Sequence, residues 1–486
     1  MSVLTPQAEG SPTATTPVGD PDLSKFGYTP QLRRTLSFTD LLFYGLIYMV
    51  PIAPFAIFGG VFQASAGMVG LAYIIGMALM IFTAASYAQM VKAFPIAGSV
   101  YNYAGRGIGA PAGFFAGWAI LLDYILVPGL LYLVASITMN GVLPDIPSWV
   151  WLLVFVGINT IINFFGIRLT AVAINLLLVG ELIVLGIFLV VGITAIAQGK
   201  ANGNWTDAFF NSDNFSWAVI FGAVSVAALS FLGFDGISML AEENKGGSRQ
   251  VGRAMSAVLV LAGLLFVAQT WVASLFVADP AGLIANGDPA GSAFYDAAAV
   301  AGGGWLAKVC LIATAIAWGL PDSMVAQTAM SRLLFAMARD RQLPGFLSKV
   351  SPKHASPTGA VLTTAAISLA VGGVGLYYLN DGSLVWLTNV INFGAMVAWV
   401  VLHISVIWHY VVRNGSRNYL AHLVMPIIGI AFLGVVIKYM KVYTLTFGFL
   451  WLLAGLLILV IMYLAGRRPR LSGLGGEPVE SVDAAA

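Results

Sequence analysis

Charge is what this sequence has least of. Only 9% of its 486 residues are Asp, Glu, Lys or Arg, against about a quarter in a soluble domain. That scarcity excludes an ordinary water-soluble globule. The net charge of +2 is not gathered into a basic block, which excludes a nucleic-acid partner held by charge. There is one cysteine, Cys310. A disulfide within the chain is therefore impossible, and its apolar setting makes it a buried, inert thiol. The four histidines, His354, His403, His409 and His422, have no metal-ligand spacing with an acid. A phosphate-cradling Gly-Lys-Ser/Thr pattern is also missing, which argues against an ATP-driven pump. No cofactor, no metal and no enzymatic activity are expected. The start lacks the basic residues, apolar run and cleavage site of a signal peptide.

What the chain has is apolar length. Hydrophobic residues make up 59% of it, in runs long enough to cross about 30 Å of hydrocarbon. The runs fall near 41–62, 68–91, 112–141, 149–167, 171–197, 216–241, 254–277, 305–335, 359–378, 384–408, 422–440 and 444–465. The expected fold is an all-α membrane protein with about twelve transmembrane helices. The runs at 112–141 and 305–335 are overlong and should tilt or extend beyond the bilayer. Residues 1–34, rich in Ser, Thr, Pro and Gly towards their start, should form a disordered cytoplasmic N-terminus. Residues 35–466 should form the membrane domain and 467–486 a cytoplasmic tail. With the N-terminus inside, all but four of the 23 Lys and Arg face the cytoplasm. The exceptions are Lys200, Lys308, Lys438 and Lys441. This bias fits cytoplasmic termini and a cell-membrane location. Trp149, Trp151, Trp205, Trp217 and Trp305 fall at expected interfaces, as an aromatic belt does.

Two spans are interrupted. The first reads LLFYGLIYMVPIAPFAIFGGVF, with Pro51 and Pro54 near its centre. Each proline removes a backbone donor, so a break is expected around Tyr48 to Phe55. Five spans later, FLGFDG puts Gly233, Asp235 and Gly236 at mid-depth. Breaks at matching positions of two five-span halves are the mark of a 5+5 inverted repeat, with spans eleven and twelve additional. Half-helix N–H groups can bind a carboxylate there, and freed carbonyls can bind an amine.

The intramembrane charges clear of span ends are Asp123, Glu181, Asp235 and Asp322, all acidic. An acidic interior favours a cation or a proton, and a buried carboxylate can also carry a proton. These four are the candidate proton-coupling groups. Aromatic residues surround the same centre: Tyr48, Phe55, Tyr101, Phe231, Phe234 and Trp318. Together with Ala53, Pro54, Gly233 and Asp235 they make the candidate substrate site.

Two stretches carry a resemblance. FLGFDGISMLAEENKGGSRQVGRAM (Phe231 to Met255) and SYAQMVKAFPIAGSVYNYAGRGIGAPAGFFAGWAILLDY (Ser86 to Tyr124) resemble the amino acid–polyamine–organocation transporters. Over about residues 35–465 the chain looks most like that superfamily's bacterial putrescine and amino-acid importers. The resemblance implies alternating access around spans one and six, with Phe231 or Phe234 capping the substrate. Span one departs from the family pattern. Pro51-Ile52-Ala53-Pro54 stands where relatives have a glycine-rich break suited to a carboxylate, which tilts the expected substrate towards an amine. Glu181 falls where many relatives have a lysine. The leading expectation is proton-coupled uptake of a small organic amine such as putrescine. The alternative is an amino-acid permease binding a zwitterion. The expected partners are that substrate, protons and the lipid bilayer. Nothing in the sequence points to an oligomeric state.

Overall fold

Without water to bond the backbone, an apolar run of twenty residues must satisfy its peptide groups internally, as a helix. The computed structural model describes residues 36–95, 99–165, 171–241, 243–339, 342–351 and 356–466. The expectations for both termini, and those for Arg168, Glu242, Arg341, Lys353 and His354, lie outside these residues.

The described residues are helical, with one isolated bridge pair. Ten helices are long and apolar enough to cross a membrane, and a bent pair, Phe38–Met49 and Pro54–Ala64, makes an eleventh span. A shorter apolar helix, Ser148–Phe164, supplies a twelfth. The bent pair is span one. Span two is Val69–Ala93, span three Ala110–Val142, span four Ser148–Phe164 and span five Ala171–Ala197. Span six is Trp217–Leu240, span seven Gly247–Ser274 and span eight Gly304–Arg339. Spans nine to twelve are Thr358–Tyr377, Ser383–Arg413, Leu420–Lys438 and Val442–Leu464. Span three has 33 residues and span eight 36, about 50 Å each at 1.5 Å per residue. Both are longer than about 30 Å of hydrocarbon.

Span one bends by 58° at its break. Val50 there has a φ of 48°, a rare conformation for a β-branched residue. The turn is held locally: the Ala53 N–H donates to the Val50 carbonyl at 2.8 Å and the Phe55 N–H to that of Ile52 at 2.9 Å. Gln269 of span seven donates to the freed Pro51 carbonyl at 2.9 Å. In span six the α-helix stops at Ala227. A 3-10 turn, Ala228–Phe231, leads into extended Leu232 and left-handed Gly233, and the span continues as a 3-10 helix over Phe234–Leu240.

The two broken spans are joined on the side where span one begins. Leu36 pairs with the loop after span six, its N–H donating to the Glu243 carbonyl and its carbonyl accepting from Lys245, each at 3.0 Å. Span twelve is tied to span three by a reciprocal tryptophan pair. Trp118 and Trp451 stack at 4.7 Å, and each indole N–H donates to the other's carbonyl at 2.8 Å. This link holds span twelve against span three.

On the opposite side the chain between spans seven and eight forms two short helices, Pro280–Asn286 and Ala293–Gly302. The second is capped by Asp288, whose carboxylate accepts from Ser292 and Ala293 N–H at 2.9 and 3.0 Å. Burial pushes the Asp288 carboxyl above its ordinary range, against those donors. Trp149, Trp205, Trp217 and Trp305 are more than half exposed, in keeping with an aromatic belt. Trp151 instead packs beside Phe155. Cys310 is buried in span eight.

Candidate functional site

A cavity of about 50 Å³ lies where the two breaks meet. Span one contributes Tyr48, Met49, Val50 and Ala53 to it. Span six contributes Leu229, Ser230, Leu232, Gly233 and Asp235. Span three adds Asp123, Tyr124, Val127 and Leu131, and span eight adds Trp318, Asp322 and Ala326. Helices rarely bring backbones together so closely. Gly233 does so because it has no side chain: a Cβ there would stand 2.5 Å from the Tyr48 carbonyl oxygen. At Gly236 a Cβ would run into the Tyr48 ring. The glycines thus seat span one's break directly against span six's.

The lining is one-sided in charge. Among the described residues it holds three carboxylates, Asp123, Asp235 and Asp322, and no Lys, Arg or His. Asp123 and Asp235 are electrostatic neighbours. Asp322 is instead within electrostatic reach of Glu181. By charge interaction the acids pair across spans three and six and across spans five and eight. Asp235 receives a hydrogen bond from the Tyr87 hydroxyl at 3.0 Å. The backbone N–H groups of Asp235, Gly233 and Gly236 lie near its carboxylate, that of Gly236 donating to the Gly233 carbonyl at 3.0 Å.

Asp322 sits where span eight is locally π-helical, over Trp318–Asp322, with Pro321 inside the turn. Such bulges are frequent at functional sites. Beside it, Asn159 of span four donates to the Gly319 carbonyl at 3.0 Å and to the Ser323 hydroxyl at 2.8 Å. These bonds satisfy a carbonyl that the proline turn displaces, and they leave the Asp322 carboxylate facing the cavity.

Of the residues expected from sequence, the cavity brings together Tyr48, Ala53, Gly233, Asp235, Trp318, Asp322 and Asp123. Six others stand off its wall. Pro54 starts the second half of span one. Phe55 points away, stacked on Phe294 at 3.9 Å between ring centres. Tyr101 lies on a short helix after span two, Ser99–Gly107, and its hydroxyl accepts from Gln342 at 2.9 Å. Phe231 packs against Tyr73 and Phe266, and Phe234 against Tyr87 and Trp399. Neither phenylalanine caps the cavity. The 3-10 winding on both sides of Leu232 turns them towards spans two, seven and ten. Glu181 is buried beyond the wall, and its Oε2 has no hydrogen-bond partner among the described residues.

Sequence reasoning missed Tyr124, Ser230 and Val50. Tyr124 follows Asp123 directly, and adjacent helical positions ordinarily diverge by about 100°. Both nonetheless line the cavity. Ser230 carried a signal, being a polar residue on the rim of an expected break.

The cavity has the chemistry of a cation site, but its volume of about 50 Å³ is well below the roughly 300 Å³ or more of pockets that enclose small organic ligands. Aromatic walls from Tyr48, Tyr124 and Trp318 suit an ammonium, at about 0.5–2 kcal/mol per favourable ring.

Comparison with known proteins agrees over nearly the whole chain. Residues 37–469 match the amino acid permease family. The chain is 30% identical over 446 residues to the low-affinity putrescine importer PlaP of Escherichia coli, covering 90% of this chain and 96% of that protein. It is 26% identical over 417 residues to a methylthioribose transporter of Bacillus subtilis, covering 79% and 83%. To the lysine-specific permease LysP of Escherichia coli it is 25% identical over 408 residues, covering 79% and 80%. These relatives are permeases rather than enzymes.

Proposed function

We propose that this chain, which belongs to the amino acid permease family, imports a small organic amine in its cationic form, driven by protons. Putrescine is the first candidate. The observation that carries this reading is the cavity wall: three carboxylates and no basic side chain among the described residues. A cation entering such a site replaces its water with carboxylate oxygens, the condition for holding a buried charge. The similarity to a putrescine importer supports the same substrate class.

The backbone argues against a substrate carboxylate. At span one's break Pro51 and Pro54 have no N–H, and the N–H groups of Val50, Ala53, Phe55 and Ala56 bond within the turn. At most the Ile52 N–H remains. At span six's break the backbone donors lie near the Asp235 carboxylate. A zwitterionic α-amino acid would find few backbone donors for its carboxylate. Competition distinguishes the two substrates: putrescine should displace labelled putrescine at least tenfold more effectively than ornithine, its α-carboxylated counterpart. Uptake of α-amino acids alone would remove the amine reading.

In the proposed cycle Asp235 and Asp123 receive one ammonium group, with Tyr48 and Tyr124 beside it. Glu181 and Asp322 take up and release the driving proton. In this reading the side bearing Leu36 is cytoplasmic, which the distribution of Lys and Arg supports. Parting of spans one and six on alternate sides then exposes the cavity first outside and then inside. Glu181→Gln should flatten the dependence of uptake on external pH while leaving exchange of amine for amine. A pH profile matching the unmodified protein would take Glu181 out of the coupling path.

A further inference from the structure

Span six's break is gripped from behind by two tyrosines of one helix. Tyr73 of span two meets Ser230 hydroxyl to hydroxyl at 3.1 Å. Tyr87 of the same span donates to Asp235 at 3.0 Å. Both tyrosines are fully buried, and neither lines the cavity. Their partners, Ser230 and Asp235, both do.

Each tyrosine also packs on the phenylalanine next to its partner. The Tyr73 ring lies 6.0 Å from that of Phe231, and the Tyr87 ring lies 5.9 Å from that of Phe234, edge to face. Gly76 leaves the space for Phe231: a Cβ there would be 3.0 Å from its ring. So each lip of the break has a polar hook and an aromatic seat, both on span two.

The spacing explains the backbone. Fourteen residues on a helix separate Tyr73 and Tyr87 by about 21 Å. In an unbroken helix Ser230 and Asp235 would be about 7.5 Å apart. Extended Leu232 and left-handed Gly233 lengthen the stretch, and the two hydroxyls reach inwards to its ends.

We propose that Tyr73 and Tyr87 are positioning residues: they hold the span-six break extended, presenting Ser230 and Asp235 to the cavity, and thereby set substrate affinity. The affinity part rests on the transport reading above. The extended break itself does not.

The test therefore has two arms. In the first, binding and initial uptake of radiolabelled putrescine are measured for Tyr87→Phe, Tyr73→Phe, Ser230→Ala and the Tyr73→Phe/Ser230→Ala pair, with melting temperatures followed alongside. Tyr87→Phe should weaken binding about tenfold, the scale of a hydrogen bond to a charged group, with the maximal rate within twofold. The double variant should bind no worse than the weaker of its singles, since both remove the same contact. Affinities within twofold of the unmodified protein, or multiplying losses in the double variant, would overturn the proposal. Ser230→Ala removes a single oxygen and serves if a tyrosine variant does not fold.

The second arm needs no substrate. Leu232→Cys places a thiol on the cavity wall, while the sole native cysteine is buried. Labelling by a small cationic thiol reagent should rise at least fivefold when Tyr73→Phe or Tyr87→Phe is added. Unchanged labelling would overturn the proposal whatever the substrate proves to be. Failure to bind putrescine with labelling raised would instead count against the amine reading alone.

Discussion

Asp235→Asn should lower amine uptake at least about a hundredfold at equal expression. Removing one partner of a buried ion pair costs about 3–5 kcal/mol, and each 1.4 kcal/mol is a factor of ten. Asparagine keeps the size and can still accept from Tyr87, so the loss isolates the charge. Asp123→Asn should cost about tenfold, because Asp123 pairs by charge interaction with Asp235 and a single remaining carboxylate can still hold an ammonium. Initial-rate uptake at several substrate concentrations measures both. Uptake by Asp235→Asn within threefold of the unmodified protein would make this carboxylate a helix-break cap and no more. Its Tyr87 bond and the surrounding N–H groups would fit that bland role equally well, which is why the charge alone must be removed.

Gly233→Ala should disable transport and lower thermal stability together. Two separate costs fall on this position. Its φ of 104° lies in the left-handed range, disfavoured for an L-residue by about 1–2 kcal/mol. The added Cβ would also stand 2.5 Å from the Tyr48 carbonyl oxygen, a backbone atom of the other broken helix that cannot rotate away. The breaks must separate, and the cavity loses its shape. Gly222→Ala on the same span is the control, where a Cβ would meet only the Tyr439 carbonyl at 3.7 Å. We expect at least a tenfold loss of uptake for Gly233→Ala and little change for Gly222→Ala. Equal behaviour of the two would mean that the close approach of spans one and six does not matter to transport.

Much of this architecture was legible in the sequence because bilayers restrict the choices. Apolar length gave most spans to within a few residues, including the two overlong ones, though span seven begins at Gly247, ahead of the expected 254, because its first two turns are polar. Proline pairs and glycines marked both breaks, since only those residues free backbone groups inside a helix. Mid-depth acids were equally visible: Asp123, Asp235 and Asp322 all reach the cavity. Side-chain direction was not legible. Phe55, Phe231 and Phe234 sit within a residue or two of the breaks, yet all three point into packing. At a break the winding changes from α to 3-10 and then to extended backbone, and the 3.6-residue period that assigns faces no longer applies. Tyr73 and Tyr87 were hidden for a different reason. They lie on an unbroken span, and their role comes from contacts 157 and 148 residues away in sequence. The short helices 280–286 and 293–302 fell in a stretch too polar to read as a span.

Uptake of radiolabelled putrescine into proteoliposomes, with an inward proton gradient and no sodium, tests the central claim most directly. The account predicts accumulation that collapses on addition of a protonophore and that Asp235→Asn lowers at least about a hundredfold. Absence of putrescine uptake, with α-amino acids accumulated under the same gradient, would contradict it and return substrate recognition to the backbone of the two breaks.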